Sequence, residues 1–231
     1  MRYAVIPARG GSKRIPRKNL KDFLGKPVIA FPIEAAVASG LFDRIIVSTD
    51  DQEIAQVAER FGASVPFIRP PELSDDHATT DAVLVHAMRQ VQALYGACDE
   101  GCCIYPANPF LTADVLRRGL DVMAKHGAPS AFPVVRYEFP IEQALVLSDG
   151  VHPRFRSPEL LDTRSQDLPV HYHDAGMFYW FATDLYLHSG RLFMDESVVF
   201  EVPPDKCQDI NTPEDWAIAE IKYQRLQARS K

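Results

Sequence analysis

The sequence predicts an α/β fold, a mostly parallel central sheet with helices on both faces. Three observations predict it. The chain opens on an apolar run, Tyr3–Ile6, of the kind carried by a strand buried on both sides. Strand-like and helix-like segments then alternate as far as Arg69, the pattern of crossover units in a parallel sheet. Helical segments end on glycines, Gly40, Gly62 and Gly127, which suit a left-handed cap.

After the first strand, Val28 to Ser39 reads as a helix, with Pro32 tolerable because it falls near the start. Arg44–Thr49 is the second strand, and Asp50 or Asp51 caps a helix to about Phe61. Val65–Ile68 reads as a short third strand. Arg69 to Thr80 is a polar, proline-stiffened loop, and Thr79 or Thr80 caps a helix from about Asp81 to Tyr95. Cys102–Tyr105 is the fourth strand. Thr112 caps a helix to about His126, and Ser130–Val135 is a further strand.

From about 136 to 170 the pattern changes, as strand-like pieces such as Ala144–Leu147 alternate with proline-containing loops. This reads as an insertion. Its short strands cannot bury both faces alone, so the expected partner is a second copy, giving a homodimer. Tyr172–Phe181 returns to a core strand, Thr183 starts a short helix, and Val198–Val202 is another strand. Gln208–Asn211 is a short extended piece. Thr212-Pro213-Glu214-Asp215 then opens the final helix with an N-cap threonine, proline at the first helical position and acid at the third.

The 231 residues suit a single domain, 1–231, carrying that small insertion. A hydrophobic content of 46% builds a substantial core, and the net charge of −6 disfavours a nucleic-acid partner. No apolar run approaches the roughly 18 residues of a membrane span, so no membrane partner is expected. The opening strand does not read as a signal peptide. Cys98, Cys102, Cys103 and Cys207 form no C-x-x-C pair, which implies free thiols and a cytoplasmic protein.

The chemistry concentrates in the loop after the first strand. Arg9, Lys13, Arg14, Arg17 and Lys18 place five cations within ten positions, beside the pair Gly10 and Gly11. Glycines after a strand let backbone N–H groups approach a ligand, and the charge points to a polyphosphate. The spacing is neither a Walker A loop nor G-x-G-x-x-G. In parallel sheets ligands bind beyond the carboxyl ends of the strands, where this loop, Ser48-Thr49-Asp50 and Arg69 would all emerge. Asp209 and Asn211 lie on one side of an extended piece, because side chains there alternate with period two.

Pro7-Ala8-Arg9-Gly10-Gly11-Ser12-Lys13 with Lys18-Asn19 resembles the signature of the CMP-sialic acid synthetase family of cytidylyltransferases. The resemblance extends over nearly the whole chain and implies a Rossmann-like nucleotidyltransferase fold. It implies that Ala8, Arg9, Gly10, Gly11, Ser12, Lys13 and Lys18 hold the triphosphate of CTP, with Asn19 supporting the nucleotide. Arg69 and its loop, including Asp76 and Thr79, would recognise cytidine. Arg9, Lys18 and Asp209 would carry catalysis. Tyr105-Pro-Ala-Asn108-Pro-Phe110 departs from the usual Gln-Pro-Thr-Ser-Pro and resembles the branch of that family acting on pseudaminic acid. Arg164-Ser-Gln166 and Tyr172-His173 resemble the same branch. So Tyr105, Asn108, Arg164, Gln166, Tyr172 and His173 are the expected sugar-site residues, and a nonulosonic acid is the expected second substrate. The family typically carries Asp-x-Asp where this chain has Asp209-Ile-Asn211. Mg²⁺, or Mn²⁺ in its place, is therefore expected on Asp209, with Asn211 supplying a neutral oxygen directly or through water.

Overall fold

The computed structural model describes residues 1–75 and 77–229. Its centre is a seven-stranded sheet. The strands are β1 (Arg2–Pro7), β4 (Arg44–Ser48), β5 (Glu100–Ile104), β6 (Ser130–Arg136), β9 (Tyr172–Asp174), β10 (Phe178–Ala182) and β11 (Val198–Glu201). Along the sheet the order is β11-β6-β10-β5-β1-β4, with β9 also on β6. β1 pairs in parallel with both β4 and β5, and β11 with β6. β10 is antiparallel to β5 and β6, and β9 is antiparallel to β6. Five strands therefore share one direction, as predicted, and two run against it. Two short ribbons lie outside the sheet, β2 (Asp22–Phe23) with β3 (Lys26–Pro27) and β7 (Leu145–Leu147) with β8 (Pro153–Phe155).

The helices are α1 (Ala30–Ser39), α2 (Gln52–Arg60), α3 (Thr80–Tyr95), α4 (Ala113–His126), α5 (Thr183–Ser189) and α6 (Pro213–Arg229). Strand alternation divides the core in two. Ala4 and Ile6 of β1 join the helices α1, α2, α4 and α6 on one face of the sheet. Tyr3 and Val5 join α3 and α5 on the other. The caps follow the chemistry of the sequence. Asp51 accepts from the N–H groups of Glu53 and Ile54, Thr79 from Ala82 and Thr112 from Val115, while Gly40 and Gly127 close α1 and α4 at positive φ.

Two predicted strands take a different form. The segment expected at Val65–Ile68 makes only two isolated bridges to the β4 edge, Ser64 with Ile46 and Ile68 with Thr49. Pro66 lies between them and has no N–H to give to a ladder. The strand expected across Tyr172–Phe181 is broken into β9 and β10. Between these two strands Gly176 sits at φ 62°, and the chain spends seven residues, Asp174 to Trp180, opposite four of β6, Val134 to Ala131.

Candidate active site

β1 is the point where the sheet reverses its order of growth, with β4 on one side and β5 on the other. A crevice forms beyond the carboxyl ends at such a point. Here it is a cavity of about 320 Å³ lined by Pro7 and the β1 loop, by Arg69, Leu73, Asp75, Ala78, Thr80 and Val83, by Tyr105 and Pro106 after β5, and by Asn211.

The five loop cations divide. Arg9, Lys13, Arg14 and Lys18 line the cavity. Arg17 turns away and pairs with Asp51 and Glu53 at the start of α2. Its backbone is left-handed, φ 54°, which reverses the chain between Arg14 and Lys18. The glycines divide too. Gly10 N–H donates to Asp50 Oδ1 at 3.0 Å, and a Cβ at Gly10 would lie 2.6 Å from Asp51 Oδ2. Gly10 therefore lets the loop press against the cap of α2. A Cβ at Gly11 would meet nothing within 4 Å. Ala8 is buried, and its N–H donates to Ser48 O, extending the β1 ladder. Ser12 lines the cavity, its N–H closing a turn on Gly10 O.

Lys18 crosses from this loop to the chain before α6, where its Nζ donates to Ile210 O at 2.8 Å. Burial pushes its pKa below the ordinary lysine value; Asp209 opposes that, and Arg14 and Arg9 add to it. Asn211 Nδ2 donates to Asp209 Oδ2, and Asn211 Oδ1 accepts from Arg14 Nη2 at 2.7 Å. An amide between an anion and a cation has only one satisfactory orientation. The backbone here is held by α6, since Asp215 Oδ2 accepts from the N–H groups of Asn211 and Thr212, and Thr212 Oγ1 from Asp215 N–H. Thr212 thus caps the helix, leaving the Asn211 side chain for the cavity.

Arg69 is 4% exposed, and its guanidinium braces the loop by donating to Ser48 O at 2.7 Å and Leu73 O at 3.3 Å. Asn19, equally buried, donates from Nδ2 to Arg9 O at 3.0 Å. Among the described residues, Arg69 Nε and Asn19 Oδ1 are buried without a hydrogen-bond partner, and both residues line the cavity. Asp76 lies outside the described residues. Thr79 spends its hydroxyl on capping α3 and lines a different hollow, while its neighbour Thr80 faces the site. Capping alone did not say which of the two threonines would point inward.

Of the predicted sugar-site residues, the structure brings Tyr105 into this cavity, where its hydroxyl meets Thr80 and Tyr179. Tyr179 donates on to Asp174. Asn108 is buried after β5 and is not among the lining residues. Arg164 and Gln166 stand on the segment between β8 and β9, and Gln166 lines a separate cavity of about 240 Å³ with Arg136, Tyr137 and His171. Tyr172 and His173 are exposed on β9, the His173 ring against Tyr137. The cavity also takes in Arg14, one of the loop cations, and Leu73, Asp75 and Thr80, which belong to the loop expected to recognise cytidine. Val83 lines it from α3, beyond that loop, and had no signal in the sequence.

Comparisons with known proteins relate the chain to a family. A family model described as Cytidylyltransferase matches residues 3–211. A pseudaminic acid cytidylyltransferase of Campylobacter jejuni subsp. jejuni serotype O:2 is 40% identical over 219 residues, spanning 95% of this chain and 94% of that protein. A CMP-N,N'-diacetyllegionaminic acid synthase of Legionella pneumophila is 29% identical over 225 residues, 94% of each chain. The solved structure of a CMP:2-keto-3-deoxy-manno-octonic acid synthetase complexed with CTP shares the fold, with a TM-score of 0.71 at 20% identity, covering 98% of this chain and 99% of that one. By the extent of the family match and by these relatives, the chain belongs to the cytidylyltransferase family.

Proposed function

We propose that this chain transfers CMP from CTP to a nonulosonic acid, with pseudaminic acid preferred, and releases pyrophosphate. The observation that carries the reaction is the convergence of Arg9, Lys13, Arg14 and Lys18 on one cavity at the switch point of the sheet. The choice of sugar is supported by the 40% identical relative, whose printed name gives that substrate.

In this reading the triphosphate lies along the four cations. The sugar's anomeric hydroxyl attacks the α-phosphorus, forming the new O–P bond as the bond to pyrophosphate breaks. Phosphoryl transfer asks the protein chiefly for positioning and for charge where charge develops. Lys18 and Arg9 supply it on the leaving side. The unpartnered Arg69 N–H and Asn19 carbonyl match a base that offers an acceptor and an amine, as cytosine does. Tyr105, and the residues Arg164, Gln166, Tyr172 and His173 nearer the β7–β8 ribbon, are the candidates for the sugar side. The protein is proposed to act as a homodimer in the cytoplasm.

Asp209 offers a hard carboxylate oxygen that fits Mg²⁺. Asn211 turns its amide N–H toward Asp209 and its oxygen toward Arg14, so in this arrangement it would reach the cation through water. Among the described residues no group of three or more His, Cys, Asp or Glu is placed to hold a metal. A small donor set suits Mg²⁺, which keeps several waters and takes other oxygens from substrate phosphates. When bound, the cation would neutralise charge on those phosphates.

Pyrophosphate release from CTP with a panel of pseudaminic, legionaminic, N-acetylneuraminic and octulosonic acids tests the reading. Pseudaminic acid should be used fastest in direct competition, and CTP should be preferred to UTP or ATP. Faster use of N-acetylneuraminic acid would overturn the sugar assignment, and equal turnover of UTP would overturn the role of Arg69 and its loop.

A further inference from the structure

Asp209 is exposed, on the connection from β11 to α6. A carboxylate there is placed neither by a strand ladder nor by packing, so side chains have to hold its backbone. Two of them hold the end nearest the helix. Asp215 accepts from the N–H groups of Asn211 and Thr212, and Lys18 donates to Ile210 O. The other end is held from within α6. Lys222 Nζ donates to Pro204 O at 3.0 Å, to Cys207 O at 3.0 Å and to Gln208 Oε1 at 2.9 Å. An ammonium has three N–H donors, so Lys222 spends all of them on this one connection. Gln208 passes the hold on, its Nε2 donating to Asp209 O at 3.1 Å. With Lys222 on its oxygen, that amide has one satisfactory orientation. On the far side the tie is a weak donor, the Cys207 thiol on Ala175 O at 3.2 Å. Lys18 lines the cavity and shares its donors with any phosphate bound there. Neither Lys222 nor Gln208 lines it, so a ligand does not compete for their hold.

We propose that Lys222, acting through Gln208, is a positioning residue for Asp209, holding its backbone from α6 so that the carboxylate is already in place when a divalent cation arrives. The proposal rests on the cytidylyltransferase reading above, which gives Asp209 that role. Partners behind a metal ligand orient it, and their loss costs roughly 10–100-fold in metal affinity or activity. Here the loss takes the form of a greater need for metal. Asp209 itself and the loop cations remain when Lys222 is changed, so metal in excess restores the reaction.

The test compares wild type, Lys222→Met, Lys222→Arg and Gln208→Met, with circular dichroism checking that each is folded. Three quantities are read. They are amide hydrogen exchange over residues 207–212 without metal or nucleotide, Mn²⁺ binding in the presence of CTP by electron paramagnetic resonance, and the Mg²⁺ dependence of pyrophosphate release. Lys222→Met keeps the length of the stem and loses the donors. Its exchange over 207–212 is faster than in wild type, because the segment opens more readily. Its Mn²⁺ affinity falls about tenfold or more. The half-saturating Mg²⁺ concentration rises in step, and most of the rate returns at saturating Mg²⁺. Lys222→Arg, still a cationic donor, recovers part of each change. Gln208→Met cuts the link and leaves Lys222 on Pro204 O and Cys207 O, so it shifts the metal affinity the same way by less. Faster exchange in Lys222→Met with unchanged metal affinity would make Lys222 a brace of the fold alone and overturn the proposal. Wild-type metal affinity in Gln208→Met would overturn it too, and that variant decides the matter if Lys222→Met does not fold. A wild type that releases no pyrophosphate from CTP with any of the sugar acids above would instead overturn the cytidylyltransferase reading, an outcome visible before any variant is made.

Discussion

Lys18 is half-buried among charges of its own sign, with Arg14 and Arg9 near it and Asp209 as its main counterweight. Burial disfavours the ammonium, so in the free enzyme the proton leaves at a lower pH than from an ordinary lysine. The reaction needs the cation, so activity falls as pH rises through that value. In kcat/KM for CTP, which reports free enzyme, the alkaline limb should therefore begin below the normal lysine range. A bound triphosphate favours the charged form, so the limb in kcat should lie higher. Lys18→Arg should remove the limb, because a guanidinium stays protonated. Lys18→Ala should lower turnover by roughly 10²–10³. An unchanged limb in Lys18→Arg would assign the titration to another group. At this scale the sequence showed the cations and not their allegiances. The count of basic residues could not reveal that Arg17 belongs to Asp51 and Glu53, or that Arg14 belongs to Asn211, because both contacts join residues distant along the chain.

At the scale of elements, the caps were legible because their chemistry is local. Asp51, Thr112 and Thr212 satisfy N–H groups two or three residues on, a distance that sequence spacing encodes directly. The break between β9 and β10 was not legible, because an apolar run from Met177 to Phe181 looks the same whether or not its approach bulges. Gly119 in α4 shows the same limit. On propensity alone, Gly119→Ala should stabilise an exposed helix by up to about 1 kcal/mol. The structure reverses the sign. A Cβ there would lie 2.7 Å from Phe178 and 2.9 Å from Trp180, aromatic residues of β10 that are fully buried. Trp180 is held against retreat, since it stacks on Phe42 and its Nε1 donates to Leu116 O. Overpacking of that kind costs about 1–3 kcal/mol. The urea midpoint of Gly119→Ala should fall with an unchanged slope, and a raised midpoint would show that α4 can move off the sheet.

At the scale of the whole molecule, the core is closed on both faces of the sheet while the segment between β6 and β9 is not. Leu145, Val146 and Leu147 of β7 are 55%, 54% and 53% exposed. Successive residues of a strand point to opposite faces, so both faces of this ribbon carry bare apolar side chains. Phe139 and Val151 are exposed in the same segment, at 80% and 74%. A lone two-stranded ribbon is marginal in water, and a strand with no buried face gains little from the hydrophobic effect. A second copy packed on the ribbon would remove this surface from water, and two-fold symmetry lets one patch serve both subunits. Sedimentation equilibrium should therefore give the mass of a dimer at micromolar concentration. The double substitution Leu145→Asp with Leu147→Asp should shift the equilibrium to monomer, because it places charge in the proposed interface. The far-UV circular dichroism should stay that of a folded α/β protein, since neither residue touches the two cores. A wild type that sediments as a single chain across that range, or a double variant that remains dimeric, would move the interface elsewhere and leave the ribbon's apolar faces to another partner.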